Sequence, residues 1–250
     1  MTYRRTVLNV VILAAGLGTR LGRPHPKPLT PLADGRTILE SQLQHVAEAF
    51  GDAARVSIVV GFGEELVRAA AAGRASFVRN ERYATTGTAQ SLRLALQQVG
   101  PGGVLWLNGD VVLTPGLLAH VRAATAGGSV VAVNTARVGD EEVKYTLDGD
   151  GRIAELSKRV VGGLGEAVGV NAVSARDRAG LVHHLGLVDE RDYFEGGIER
   201  AITVGAQGWR PVDVSRFGVV EVDFPEDLDR ANELCVVPRS PADDLVAPAP

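Results

Sequence analysis

The chain has 250 residues, a net charge of −4, 45% hydrophobic residues and 22% charged residues. That length suits one large α/β unit with a substantial core, and the acidic balance excludes the broad basic face of a nucleic-acid binder. A single cysteine, Cys235, excludes an intrachain disulfide and a cysteine-based zinc centre, which fits a reducing, cytoplasmic setting.

Taken in chain order, Val7–Leu13 reads as a buried strand. Two arginines precede it, as in an export signal, but Asn9 interrupts the run and a glycine turn ends it. Thr37–Phe50 reads as a helix opened by a capping box, Thr37 with Glu40 three residues on. Val56–Val60 is a strand, Glu64–Ala72 a helix, Ser76–Arg79 a short strand and Thr88–Val99 a helix. Val104–Leu107 is a strand ending in Asn108-Gly109-Asp110. A helix over Pro115–Ala124 and a strand over Ser129–Asn134 follow. Val143–Leu156 reads as two short β pieces around the turn Asp148-Gly149-Asp150-Gly151. Val168–Val173 is a strand, Ala175–Leu185 and Tyr193–Thr203 are helices, Val212–Val214 and Val219–Val222 are late strands, and Pro225–Leu234 is the last helix. No stretch is long and apolar enough for a membrane span. This alternation is the mark of an α/β fold with a largely parallel sheet. Residues 1–237 are expected to form one domain with an insert at about 140–173, and residues 238–250, rich in Pro, Ala and Asp, a disordered tail.

The first strand runs directly into Leu13-Ala14-Ala15-Gly16-Leu17-Gly18-Thr19-Arg20-Leu21-Gly22, which continues to Pro26-Lys27-Pro28-Leu29. Small residues and glycines let backbone amides approach phosphate oxygens, and Arg20 and Lys27 add the positive charge a triphosphate needs. A P-loop needs a Lys-Ser/Thr pair that is missing here, and a dinucleotide fingerprint needs a third glycine where Leu21 stands.

Two acidic positions accompany the loop. Asn108-Gly109-Asp110 ends a buried strand at the edge where ligands collect in α/β sheets; alone it reads first as a plain Asx turn, and the phosphate loop upstream reverses that. Alternation places Glu221 and Asp223 on one strand face, while Glu226 and Asp227, beside Pro225, suit the first turn of a helix. Thr86 or Thr88 is expected to cap the helix that follows. Asp192-Tyr193-Phe194-Glu195 offers either a carboxylate and ring for an acceptor or a helix cap with core aromatics. The histidines, including His25, His183 and His184, show no metal-binding spacing.

These strings together resemble the nucleotidyltransferase superfamily that makes sugar nucleotides and CDP-alcohols, with Asn80…Tyr83…Ser91-Leu92 similar to its phosphocholine cytidylyltransferase branch. The resemblance implies a three-layer α/β/α Rossmann-like domain with a mixed, mostly parallel sheet and a small β insert, of the GT-A-like type. It implies a nucleotide loop of Leu13, Ala14, Ala15, Gly16, Leu17, Gly18 and Thr19, and catalytic cations at Arg20 and Lys27. It further implies base and nucleotide contacts from Asn80, Thr86, Gly87, Thr88, Ser91 and Asn108, and acceptor contacts from Lys158, Glu166 and Glu195, with Lys144 a weaker candidate. Magnesium would be held by Asp110 and Asp223, with Glu221 as a further ligand.

The expected partners are an NTP, CTP favoured over UTP, dTTP or GTP, and a small acceptor bearing a phosphate or phosphonate: a phosphorylated alcohol, a phosphonate or a sugar 1-phosphate. Pyrophosphate is released. No nucleic acid or membrane partner is expected, and a homodimer is allowed. Aromatic residues make up only 5% of the chain, which argues against a full aromatic cage for choline. Two other readings stay open, a molybdenum-cofactor-type nucleotidyltransferase acting on a pterin phosphate and a non-catalytic nucleotide sensor, although intact loop and carboxylates argue against the sensor.

Overall fold

Period-two alternation along β1 (Leu8–Leu13) and the residues just after it sets up the layers. Val10, Ile12 and Ala14 enter one apolar core, and Val11, Leu13 and Ala15 enter another on the opposite face. The computed structural model describes residues 8–236 except Asp140, and leaves the side chains of Thr19 and Val236 undescribed. Val7, the outer ends of the expected 1–237 domain and the expected tail over 238–250 lie outside the described residues.

The remaining strands are β2 (Ala54–Val60), β3 (Ser76–Arg79), β4 (Val104–Asn108), β5 (Val111–Leu113), β6 (Ser129–Asn134), β7 (Lys144–Leu147), β8 (Ile153–Ser157), β9 (Glu166–Val173), β10 (Trp209–Asp213) and β11 (Val219–Glu221). Among the described residues, nine of them form one sheet with the order β10-β6-β9-β4-β1-β2-β3, and the β7–β8 hairpin attaches to β9. β1, β2, β3 and β4 pair in parallel, as do β6 and β10, while β9 runs antiparallel to both β4 and β6. The sheet is therefore mixed and mostly parallel, as the alternating pattern predicts. β5 and β11 pair antiparallel as a separate ribbon.

Helices α1 (Ile38–Phe50), α2 (Glu64–Ala71) and α4 (Leu117–Ala124) cover the first core, and α3 (Thr88–Gln98), α5 (Arg178–Leu185) and α6 (Phe194–Thr203) cover the second. The result is three layers. In the second core Trp106 meets Phe194 and Trp209 edge-on, with centroids 5.6 and 6.2 Å apart. Each fully buried large apolar side chain there contributes roughly 1.5–3 kcal/mol. α7 (Pro225–Val236) folds over a smaller cluster that includes Leu21, Ile38, Val112, Val222 and Ala231, and so fastens the β5–β11 ribbon to the glycine loop. No helix among the described residues is long and apolar enough to cross a membrane.

Several local readings shift; the strand expected over Val212–Val214 runs from Trp209 to Asp213. α4 starts at Leu117 because Gly116 takes a left-handed conformation, φ 88°. α5 starts at Arg178 because Ser174 and Asp177 form a side-chain-bonded turn first. β5 had no sequence signal of its own: three residues after Gly109-Asp110 become a strand only by pairing with β11.

The capping box is present in full. Thr37 Oγ1 accepts from Glu40 N at 3.2 Å, and Glu40 Oε2 accepts from Thr37 N at 2.7 Å. Leu39, Leu43 and Val46 then face the core at helical spacing. Thr37→Ala is expected to lower stability by about 1 kcal/mol, seen as a drop in the urea unfolding midpoint; an unchanged midpoint would refute this role for the cap.

Candidate active site

The carboxyl ends of the neighbouring strands β1 and β4 open into one cavity of ≈ 810 Å³. Its wall includes Leu13 through Gly18, Arg20, Lys27, Asn108, Gly109, Asp110, Glu221 and Asp223, joined by Thr86, Gly87, Thr88 and Ser91. Glu141, Glu142, Lys158, Tyr193 and Glu195 also line it. Distant segments of the chain therefore converge as their motifs imply.

At the centre, Lys27 Nζ donates to Asp110 Oδ2 at 2.8 Å and to Asp223 Oδ1 at 2.5 Å, while Arg20 Nη1 reaches Asp223 Oδ2 at 3.2 Å. The Lys27 side chain is only 10% exposed. Burial works against its charged form, yet Asp110 and Asp223 outweigh that and hold the ammonium above its ordinary range.

Close backbone approach makes this geometry attainable. A Cβ on Gly109 would lie 2.7 Å from Leu13 O and 2.9 Å from Pro28 Cγ, so only glycine lets the β4 turn slide under both parts of the loop. Gln42 on α1 fixes the same turn, donating to Asn108 O at 2.8 Å and Val111 O at 2.7 Å. Gln42 was not singled out from sequence. Its signal was there: a polar residue on the stripe of Leu39, Leu43 and Val46. At the far end, Asp227 Oδ2 accepts from the backbone of Asp223 and Phe224 at 3.0 and 2.8 Å, so the α7 start holds the Asp223 turn in place.

Several expected contacts take other roles. Asn80 is buried below the cavity rather than in its wall, donating to Thr86 Oγ1 and Ser91 Oγ, both at 3.1 Å. It positions the loop that carries Thr86. Neither Thr86 nor Thr88 caps α3, whose cap residue is Gly87 without a side-chain bond. Thr86 Oγ1 instead donates to Arg82 O, and Thr88 Oγ1 accepts from Phe194 N at 3.0 Å at the start of α6. Gly87 N donates to Glu190 O and Ala89 N to Asp192 O, and a Cβ at Gly87 would fall 2.1 Å from Asp192 O. The segment leading into α3 and the segment leading into α6 are thus bonded to each other, aided by an Arg82–Glu190 ion pair that sequence could not foresee. Glu166 also leaves the wall: it accepts from Gly139 N at 2.7 Å and ties down the loop bearing Glu141 and Glu142. Lys144 sits opposite Ser157 and Glu166 in the sheet rather than in the cavity wall. Of the Asp192–Glu195 stretch, Phe194 is the core aromatic, whereas Tyr193 and Glu195 face the cavity. Lys158 Nζ lies 5.7 Å from the Tyr193 ring centre. The side chain of Thr19 lies outside the described residues.

The acids fall into two groups. Asp110 Oδ1 and Asn108 Oδ1 are buried without a hydrogen-bond partner, oxygen donors suited to a hard cation. Among the described residues no three His, Cys, Asp or Glu side chains close into a metal-holding group; the Lys27 ammonium occupies the space where Asp110 and Asp223 converge. Glu221 lines the same cavity. Burial, then Asp110, Glu195, Glu142 and Asp223, hold its carboxyl well above the ordinary range. Burial likewise pushes Glu195 up to about 7, opposed by its own backbone N–H and by Lys158.

Residues 10–160 match the family described as the MobA-like NTP transferase domain. The chain is 32% identical over 252 residues to the CMP-5'-(3-aminopropyl)phosphonate synthase of Streptomyces rubellomurinus, covering 93% of this chain and 39% of that protein. It is 38% identical over 161 residues to the bifunctional protein GlmU of Gloeobacter violaceus, covering 60% of this chain and 33% of that protein. The chain thus spans well under half the length of either relative. In structure it is similar to the CTP:phosphocholine cytidylyltransferase LicC from Streptococcus pneumoniae, with TM-score 0.74, 18% identity, and coverage of 92% of this chain and 99% of the other. With more than half of its length inside that one match, this chain belongs to the MobA-like NTP transferase family.

Proposed function

We propose that the chain transfers a nucleoside monophosphate from an NTP, CTP by preference, to a small phosphonate or phosphate acceptor, releasing pyrophosphate. The observation that carries this reading is the Lys27 ammonium set between Asp110 and Asp223, directly below a glycine loop and beside a second, acidic wall. An acceptor phosphonate oxygen attacks the α-phosphorus in line; the new P–O bond forms as the bond to pyrophosphate breaks. The nucleophile is already anionic, so no general base is needed. Arg20 and Lys27 neutralise charge as it shifts to the leaving group, and loop amides orient the triphosphate. Asp110 and Asp223 would hold magnesium, which keeps several waters and substrate phosphates and needs few protein ligands, and which supplies positive charge beside the phosphates when bound.

The acceptor wall supports an acceptor with a cationic amine at its far end. Glu141, Glu142 and Glu195 line it together with the Tyr193 ring, and Lys158 is there for the anionic end. The name of the Streptomyces relative, an aminopropylphosphonate enzyme, agrees with this choice of chemistry. A non-catalytic sensor would have no use for two acids converging on Lys27.

Lys27→Ala and Asp110→Ala are each expected to lower turnover by at least roughly a hundredfold, about 2.7 kcal/mol of barrier. The assay is pyrophosphate release, run with four NTPs against phosphocholine, aminoalkyl- and hydroxyalkylphosphonates, inositol phosphate and hexose 1-phosphates. Near-normal release by both folded variants would defeat the assignment; a preference for GTP would move it toward the pterin-phosphate reading.

The Glu195 carboxyl, faced by Lys158 and Glu221, should give the amine-bearing acceptor a pH dependence. Below about pH 7 it is neutral, and above it the carboxylate can pair with an ammonium. Between pH 6 and 8 the KM for an aminoalkylphosphonate should therefore fall in the wild type relative to Glu195→Gln, whose amide does not titrate. Parallel KM profiles for the two proteins would show that Glu195 does not meet the amine.

A further inference from the structure

A second cavity lies at the amino ends of β6 and β10, the sheet edge opposite the glycine loop. It measures ≈ 470 Å³, and its walls include Arg152, Arg176, Arg210, Asp177, Ala206 and Gln207. Volumes of about 300–1,000 Å³ are those of small-molecule sites. Here three guanidinium groups meet one carboxylate, in a chain whose net charge is −4.

The carboxylate is already committed. Asp177 Oδ2 accepts from Ser129 Oγ at 2.7 Å and Ser174 Oγ at 2.8 Å, and Oδ1 accepts from Arg176 Nε at 3.2 Å. The guanidinium groups of Arg152 and Arg210 have no hydrogen-bond or ion-pair partner among the described residues. Bare backbone makes room for them. Arg210 lies flat on Gly127, where a Cβ would fall 1.4 Å from Nη2, and the Arg152 stem crosses Gly208, where a Cβ would lie 3.3 Å from Cδ.

The loop that closes the cavity is pinned. Gln207 N donates to Ala201 O at 3.0 Å and Gln207 Nε2 to Asp177 O at 2.9 Å, while Trp209 Nε1 donates to Gln207 Oε1 at 3.4 Å. Ala206 is held at φ 50°, a left-handed conformation that costs an alanine of order 1 kcal/mol or more. The surrounding bonds hold this loop in a strained shape around a pocket with two unengaged cations.

We propose that this cavity binds a small anion with two or more phosphoryl groups, gripped by Arg152, Arg176 and Arg210. The planar guanidinium fork matches phosphoryl oxygens two at a time, and three forks spread around a cavity of ≈ 470 Å³ suit a ligand with more than one phosphoryl group. The site does not depend on the reaction proposed above. It does share two rigid elements with the catalytic cavity: β8 leads from Arg152 to Lys158, and α6 leads from Glu195 toward Gly205.

The test titrates inorganic tripolyphosphate into the full chain, with CTP in a parallel arm to separate a free polyphosphate from a nucleotide as the source. Affinity for this site is read from the titration of the Trp209 indole N–H resonance, which bonds to the cavity wall through Gln207, so that a probe held in the catalytic cavity does not count. Saturable binding by either probe should displace that resonance and should weaken by roughly tenfold or more in the double variant Arg152→Gln/Arg210→Gln. Gly127→Ala should weaken it too, because the new methyl displaces Arg210 without removing any charge. Thermal unfolding checks that both variants stay folded. An unmoved Trp209 resonance with both probes, or equal affinity in the folded double variant, would overturn the proposal.

Discussion

One ammonium group joins parts of the chain that are 83 and 196 residues apart, since Lys27 bonds both Asp110 and Asp223. Its worth is not chiefly in stability. A buried ion pair repays its desolvation only when the geometry is good, and replacing it by apolar residues is often neutral. What the arrangement secures is that two carboxylates from separate elements can stand close together. Two like charges about 4 Å apart repel by about 4 kcal/mol at an effective dielectric of 20, so a cation between them is strongly favoured. Lys27 fills that role here through Asp110 Oδ2 and Asp223 Oδ1, and leaves Asp110 Oδ1 without a partner.

The rest of the fold serves this meeting point. β1 and β4 are neighbours in parallel, so the glycine loop and the Asn108-Gly109-Asp110 turn leave the sheet side by side. Gln42 reaches up from α1 to hold the turn, and the β5–β11 ribbon carries Asp223 across to it, with α7 fixed above by Asp227. The ribbon is short, and its apolar cluster also takes in Leu21 and Ile38. The packing of α7 is therefore also the packing of the phosphate loop.

Which parts were legible in the sequence follows from the range of the forces involved. The buried strands, the Thr37–Glu40 box and the glycine loop are local patterns, and each appears where its residues put it. So does the convergence of Asp110, Asp223, Arg20 and Lys27 on one cavity, which the composite motif implied. Misreadings cluster where a side chain chose a distant partner over a near one. Thr88 sits at a helix start and looked like its cap, but the Phe194 amide, 106 residues on, took its oxygen. Asn80 and Glu166 look like binding residues in sequence, and both are used up in holding loops. The Val111–Leu113 strand exists only because Val219–Glu221 pairs with it.

The charge census of the cavity looks wrong at first for the transfer from a triphosphate proposed above. Its wall carries six acids, Asp110, Glu141, Glu142, Glu195, Glu221 and Asp223, against four cations, Arg20, Lys27, Lys158 and Arg191. Pairing resolves part of this. Lys27 and Arg20 are bonded to Asp110 and Asp223, while Glu142 and Glu195 come within electrostatic reach of Glu221, and Lys158 lies by the Tyr193 ring. In the proposed reaction a zwitterionic acceptor would meet both signs of charge on this wall. Electrostatic complementarity of this kind contributes more to orientation and choice of partner than to raw affinity. Burial, ahead of any neighbouring charge, holds the Glu195 and Glu221 carboxyls above the ordinary range, so the acids crowded near Asp110 and Asp223 do not each favour the charged form equally.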